Sequence, residues 1–398
     1  MDAYVLDWLQ LIFRWLHVIT GVAWIGASFY FVWLDNNLEE PPRWKADKGI
    51  KGDLWAIHGG GIYEVGKYQL APEKMPETLH WFKWEAYSTW LTGMVLLVLV
   101  FYVGAEAYLI DSRVAELTPW QAIGLGLGFI VVGWVAYELL CATALARNGY
   151  VLGLVLVLMA VLFSYALTHL FSGRGAFIHM GAVIGTIMAG NVFRVIMPSQ
   201  RALVAAIEAG TEPDPAWGAK AKLRSTHNNY LTLPLLFIMI SNHYPMTYAH
   251  SHNWLILLAI IAITAFSRHY FNLRHRGQNQ PWILVVSLLA AALLAWVIMP
   301  KPSATTAAQA TSPMSDAEAT RVLVERCASC HSAQPTDDVF KVAPGGVILE
   351  SLADMQQWAP RIKARSVDAP DMPFLNKTGM TDAERAGIGA WIDAGTGR

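Results

Sequence analysis

Charge is scarce in this sequence. Only 15% of the 398 residues are Asp, Glu, Lys or Arg, whereas a soluble domain normally has about a quarter. The deficit argues against an ordinary soluble enzyme, and the formal net charge of −1 argues against a nucleic-acid partner. Cysteine is also rare, and three residues are too few for a disulfide scaffold.

Apolar residues, by contrast, make up 55% of the chain. A helix that crosses about 30 Å of hydrocarbon needs about 20 apolar residues, and the sequence predicts eight such spans. The sixth is the weakest because Pro234 and the polar run Ser241-Asn242-His243 interrupt it, so seven spans is the alternative. The predicted spans cover residues 8–34, 79–103, 119–141, 151–170, 176–197, 229–247, 253–271 and 281–299.

The distribution of Lys and Arg predicts the orientation of these spans. The loops at 35–78, 142–150, 198–228 and 272–280 carry thirteen of these residues, whereas the loops on the other side carry Arg113 and Arg174. Positively charged loops stay in the cytoplasm, so we expect both termini outside. The first apolar stretch is too long for a cleavable signal and is expected to remain as a membrane helix.

The composition changes after Pro300. Residues 301–314 are small, polar or proline and predict a flexible tether, which separates a membrane domain (1–300) from a small helical domain (315–398). Ser315-Asp-Ala-Glu318 and Thr381-Asp-Ala-Glu384 are typical of helix N-termini. The predicted fold is therefore all-α, an eight-helix transmembrane bundle followed by a small c-type cytochrome domain.

The cytochrome prediction depends on Cys327-Ala-Ser-Cys330-His331. The C-x-x-C-H spacing is that of covalent haem c, because two thiols one helical turn apart bond the vinyl groups while the histidine binds the iron. A Cys-x-x-Cys redox pair is the alternative. Covalent haem attachment occurs outside the cytoplasmic membrane, which agrees with the orientation predicted from Lys and Arg.

The second axial ligand of such a haem is expected to be a downstream methionine. We favour Met372, which follows Asp371 in an extended segment, over Met355 and Met380. Pro344 is a candidate for the carbonyl that orients the axial ring of His331. His331 and Met372 are thus the predicted iron ligands.

Ionisable side chains inside a membrane are costly and are usually functional. Four histidines fall toward the outer side of the predicted spans: His17, His169, His179 and His243. We predict that some of them hold a non-covalent haem b, with Arg14 beside His17 pairing with a propionate. The alternative is that these histidines hydrogen-bond between helices and Arg14 reaches the membrane surface.

The inner side carries the most polar sequence of the membrane domain. His58 opens a triple-glycine run that continues to Tyr63 and Lys67, and His80 lies five residues before Glu85. The glycines predict either a tight turn or a close approach of the backbone to a planar ligand. The pattern is neither a Walker phosphate loop nor an esterase, because no G-x-S-x-G motif is present.

Five segments resemble the membrane-bound urate oxidases, integral membrane urate hydroxylases with a C-terminal cytochrome c. The likeness covers essentially the whole chain, and the segments that carry it are Trp15–Gly26, His58–Lys67, His80–Glu85, Gly190–Phe193 and His227–Pro234. The resemblance implies oxidation of urate to 5-hydroxyisourate at the cytoplasmic (inner) membrane of a bacterium. Electrons would leave through haem c to a downstream cytochrome c or terminal oxidase, without hydrogen peroxide.

A urate site needs a cation, an aromatic face and a proton acceptor. We predict that a cation neutralises the anion, that an aromatic ring stacks on it and that a third side chain accepts protons. The candidates are Lys67, Lys83 or Arg194 for the cation, Trp84 or Tyr63 for the ring, and His58, His80 or Glu85 for the proton acceptor. Two other functions compete with this interpretation. One is a membrane dehydrogenase or quinol:cytochrome c oxidoreductase with another substrate, and the other is a non-enzymatic electron conduit.

Overall fold

The computed structural model describes residues 3–69, 71–72, 74–274, 277–299, 314–337, 340, 342–368 and 371–396. Residues 301–313 of the predicted tether lie outside these ranges. We call residues 3–299 the helical bundle and residues 315–396 the C-terminal segment.

Long helices account for most of the bundle, as the apolar spans predict. They are α1 (Ala3–Asn37), α2 (Trp84–Leu96), α3 (Pro119–Ala142), α4 (Gly149–Thr168), α5 (Gly173–Asn191), α6 (Met197–Glu208), α7 (Pro215–Ser241), α8 (Asn253–Arg274) and α9 (Trp282–Val297). A π-helical turn extends α2 through Leu97–Tyr102, and another at Val192–Ile196 joins α5 to α6.

Six helices among the described residues are long and apolar enough to cross a membrane. They correspond to the first five predicted spans and the seventh. The sixth predicted span lies in α7, which is long enough at 27 residues but has a polar N-terminal half. The eighth is the 16-residue α9, which falls short of a full crossing. Eight crossings therefore stay a prediction.

A β-hairpin occupies part of the region predicted as a loop between the first two spans. Strands β1 (Ile50–His58) and β2 (Gly61–Tyr68) pair antiparallel. Gly59 and Gly60 form the two-residue turn with φ values of +58° and +82°, as a type I′ turn requires. Of the two interpretations of the triple glycine, the structure supports the tight turn.

Helix α5 lies at the centre of the bundle and packs on α3, α4 and α7. Close approach depends on glycine, since a Cβ at Gly181 would lie 2.7 Å from Ile238 and one at Gly133 would lie 2.7 Å from Val183. Small residues play this part in membrane helix packing. The centre of the bundle is therefore closely packed.

The C-terminal segment has its own hydrophobic core. It contains α10 (Asp316–Cys327), α11 (Leu352–Ile362) and α12 (Asp382–Trp391). Capping boxes begin α10 at Ser315 and α12 at Thr381, which confirms both predicted helix starts. Trp391 is fully buried and donates to Asp316 Oδ1 at 2.8 Å, so the last helix closes against the first.

Candidate functional sites

A cavity of about 340 Å³ lies in the C-terminal segment, and the Cys-x-x-Cys-His motif forms part of its wall. Helix α10 leads directly into the motif. The His331 amide continues the helical pattern by donating to the Cys327 carbonyl at 2.8 Å. The helix therefore places Cys327, Cys330 and His331 around one opening.

The ring of His331 is fixed by a backbone carbonyl. Its Nδ1 donates to the Val347 carbonyl at 3.0 Å, so Nε2 is the nitrogen left to bind a ligand. The prediction that Pro344 supplies this carbonyl was wrong. Pro344 begins a short 3₁₀ turn that ends at Gly346, and the next residue is the one whose carbonyl reaches the imidazole.

The structure separates the three candidate methionines. Met372 lines the cavity and is only partly buried. Met355 is fully buried and Met380 is 2% exposed in the hydrophobic core of the segment. Of the three, Met372 is therefore the one placed to reach a group in the cavity.

The two thiols do not have the properties of a redox pair. Burial raises the pKa of Cys327 to about 12, and burial also raises the pKa of Cys330. A Cys-x-x-Cys redox site needs a thiol whose pKa is lowered, because the thiolate is the nucleophile. The burial of both thiols argues against this alternative.

Cations surround the cavity. Arg326, Arg361, Arg365 and Lys377 all contribute to its wall. Arg365 also donates to Asp371 through Nε at 2.7 Å. An anionic group in this cavity would therefore meet several positive charges.

The helical bundle supplies two residues to the same cavity, Tyr108 and Arg174. The Tyr108 ring lies 5.8 Å from Phe374 and 6.4 Å from Phe340 of the C-terminal segment. The Arg174 guanidinium lies over the Tyr108 ring at 5.4 Å. Both residues belong to loops predicted to be external, so the C-terminal segment and these loops share one end of the bundle.

The predicted haem b residues differ in burial. His169 is exposed and stacks on Tyr165 at 3.9 Å, and His243 and Arg14 are also exposed. His179 is fully buried, but Tyr102 Oη lies 3.3 Å from its Nε2 and Nδ1 donates to the Gly175 carbonyl.

His17 is half-buried, and its Nε2 has no hydrogen-bond partner among the described residues. Its Nδ1 lies 3.0 Å from the Thr89 carbonyl. Both ring nitrogens of His179 have protein groups within hydrogen-bond distance. Haem b therefore stays a prediction from the sequence.

The five predicted catalytic residues fall into two groups. His58, Tyr63 and Lys67 lie on the exposed hairpin, where Lys67 pairs with Asp35 at 2.5 Å. His80 and Glu85 come together at the start of α2, with 3.8 Å between Nε2 and Oε1. Glu85 is the more buried of this pair, and its Oε2 has no hydrogen-bond partner among the described residues.

A network of buried polar side chains lies inside the bundle. Arg224 donates to both carboxylate oxygens of Glu138 at 3.1 Å and to Asn191 at 3.1 Å. Asn191 donates to Tyr137 Oη at 3.0 Å, and this hydroxyl lies 2.7 Å from His227 Nδ1. The network joins α3, α5 and α7.

Sequence reasoning counted Arg224 only as a loop cation and passed over Glu138. The available signal was the acidic side chain of Glu138 inside the third apolar span. Asn228 accepts from Asn191 at 2.8 Å and donates to the Met188 carbonyl at 3.0 Å, so it takes part in helix packing.

The bundle was also compared with known proteins. Searches of curated proteins and of solved structures found no match. A family model described as "Urate oxidase N-terminal" matches residues 3–299, which are the whole of the helical bundle. The match covers well over half of the chain, and the protein therefore belongs to the urate oxidase N-terminal family.

Proposed function

We propose that this protein is a membrane-bound urate oxidase that forms 5-hydroxyisourate and passes the electrons to a haem c in the C-terminal segment. Urate and one water give 5-hydroxyisourate, two protons and two electrons. The observation that carries the proposal is the family match over residues 3–299, joined to a Cys-x-x-Cys-His cavity that the bundle itself helps to line.

The cavity residues fit a covalent haem. Cys327 and Cys330 would bond its vinyl groups, and His331 Nε2 and the Met372 sulfur would bind the iron. Arg361 and Arg365 would pair with the propionates. A haem held in this way supplies one-electron redox chemistry at the end of the bundle where Tyr108 and Arg174 lie.

Several features support a location in the cytoplasmic membrane of a bacterium. Six apolar helices are long enough to cross, and the C-terminal segment contacts loops predicted to be external. A haem c attached outside the membrane can deliver electrons to a soluble cytochrome c or to a terminal oxidase. Urate would then be oxidised without formation of hydrogen peroxide.

Among the predicted catalytic residues, Glu85 is the best placed to accept a proton from urate. Its carboxylate is 23% exposed, and one oxygen has no described partner. We expect Glu85→Gln to slow urate-dependent haem reduction by about 100-fold. The control is Glu116→Gln at an exposed carboxylate, which should have no effect.

Anaerobic titration of the full-length protein with urate tests the proposed function. We expect urate to reduce the haem c absorption band, and a Cys327→Ala/Cys330→Ala variant to lose both covalent haem and the response. Pyridine haemochrome spectra of the same sample distinguish haem c from haem b. A haem that urate leaves oxidised but a quinol reduces would instead support the dehydrogenase, and a haem that neither reduces would support the conduit.

A further inference from the structure

The bundle contains a second buried arginine, Arg268 on α8, and no carboxylate of the described residues pairs with it. Arg268 is 4% exposed. Among the described residues its only hydrogen bond is donated by Nε to the neutral Asn229 amide oxygen, and Nη2 has no partner. The guanidinium lies over the Phe29 ring at 4.6 Å. Within the described part of the chain, a buried positive charge is thus left without a counter-charge.

Arg224 is a buried arginine of the same bundle that does have a carboxylate partner. Both of its terminal nitrogens donate to Glu138 at 3.1 Å. Leaving a buried charge unpaired costs several kcal/mol, so a packing role alone does not account for Arg268. An arginine that serves a lipid phosphate reaches the membrane surface, whereas Arg268 is enclosed. The missing negative charge is therefore expected from a ligand that enters the bundle.

A second polar group without a partner lies one helical turn from Arg268. Asn272 is four residues further along α8 and so shares its face, and its Nδ2 is buried without a hydrogen-bond partner among the described residues. Two unsatisfied donors on one face are unusual, because buried polar groups are almost always paired. Together they offer N–H groups to a ligand with acceptor oxygens.

We propose that Arg268, with Asn272, binds the anionic substrate of this protein, and, resting on the proposed function, that this substrate is urate. The urate anion is planar and carries carbonyl oxygens along its edge. The planar fork of an arginine suits such an edge because it donates two parallel hydrogen bonds. Asn272 Nδ2 adds a third donor, and Phe29 supplies an apolar wall.

The position of Arg268 along α8 places the proposed site within the bundle. Helix α8 begins at Asn253, close to the end of the bundle that contacts the C-terminal segment. Arg268 is fifteen residues further on, which is about 22 Å along a helix. The site therefore lies toward the end of the bundle opposite the C-terminal segment.

The test uses the full-length, haem-loaded protein in detergent, with wild type compared with Arg268→Gln, Arg268→Lys and Asn272→Ala. A matched control is Arg274→Gln, the same charge change at an exposed position of the same helix. Two quantities are measured: KM for urate from anaerobic haem reduction, and the change in Tm that urate causes in the oxidised protein.

We expect Arg268→Gln to raise KM about 10- to 100-fold, because one or two charge-assisted hydrogen bonds are lost. The variant should also abolish the rise in Tm caused by urate. Arg268→Lys should lie between wild type and Arg268→Gln, and Asn272→Ala should raise KM by less. Since the mutation removes an unpaired buried charge, Tm without urate should not fall. Arg274→Gln should match wild type.

The proposal would be overturned if Arg268→Gln left both the KM and the urate-induced rise in Tm unchanged. It would also be overturned if this variant had a lower Tm without urate but an unchanged KM. Failure of the proposed function has a different signature. In that case urate leaves the wild-type haem oxidised, while an Arg268-dependent rise in Tm would still identify an anion site.

Discussion

The ring of Tyr108 in the helical bundle lies 5.8 Å from the ring of Phe374 in the C-terminal segment. Phe340 completes the group, 5.7 Å from Phe374. Aromatic pairs of this kind contribute roughly 0.5–1.5 kcal/mol beyond the apolar area they bury. These three rings hold the cavity with Cys327 and His331 against one end of the bundle.

The aromatic contact predicts an effect on electron transfer. We expect Tyr108→Ala to keep covalent haem but to slow its reduction by urate by up to about fivefold, since a loss of about 1 kcal/mol lowers the docking equilibrium constant by that factor. Stopped-flow measurement of the haem band checks this, with dithionite reduction as the reference. Tyr150→Ala, at a tyrosine 94% exposed, should leave the rate unchanged.

The placement of the methionines predicts the axial ligand. Loss of the Met372 sulfur should lower the haem reduction potential by on the order of 0.1 V, because a thioether ligand favours the reduced iron. Spectroelectrochemistry of Met372→Ala and of Met380→Leu makes the comparison. An equal change in both variants, or a change in Met380→Leu alone, would contradict this assignment.

The ion pair between Arg224 and Glu138 predicts a stability effect. Glu138→Gln leaves a buried guanidinium without its counter-charge and should cost about 1–3 kcal/mol, since the Glu138 side chain is 22% exposed. Replacing both partners, as Glu138→Leu with Arg224→Met, should recover more than half of this loss. Thermal unfolding in one detergent compares the three proteins.

The capping box of α12 predicts a pH dependence. Burial pushes the pKa of Glu384 upward, but hydrogen bonds from Arg326 and from Thr381 outweigh it and hold this pKa below its ordinary value. A carboxylate with a lowered pKa in the folded state stabilises the fold above its unfolded pKa, about 4.3. This stabilisation is lost as the pH falls through the folded value.

Glu384→Gln should therefore lose less Tm than wild type between pH 7 and pH 3. The haem absorption band of the full-length protein reports the unfolding of the C-terminal segment. Glu350→Gln, at an exposed carboxylate, is the control and should follow wild type. Parallel pH profiles for wild type and Glu384→Gln would show that this carboxylate does not couple to folding.

Local patterns predicted much of the architecture. The capping boxes at Ser315 and Thr381 involve residues three apart, and a helix start of this kind needs no information from elsewhere in the chain. The sequence analysis predicts a loop between the first two spans and misses the hairpin there. A signal for the hairpin is nevertheless present, since two alternating stretches flank Gly59-Gly60.

Neighbouring residues alone did not predict which backbone carbonyl accepts the hydrogen bond from His331. Pro344 and Val347 are three residues apart, and the geometry of the turn between them decides which carbonyl faces the ring. The same holds for His179, whose depth in the membrane was predicted but whose contact with Tyr102, 77 residues away, was not.

Hydrophobic length, capping and motif spacing are properties of neighbouring residues, so the apolar helices, the helix starts and the Cys-x-x-Cys-His motif could be predicted without a structure. The partners of the buried charges could not. Arg224 meets Glu138 across 86 residues, whereas the hydrogen bond of Arg268 within the described ranges goes to the neutral Asn229, and nothing near either arginine in the sequence distinguishes them. Such pairings depend on which faces of distant helices pack together.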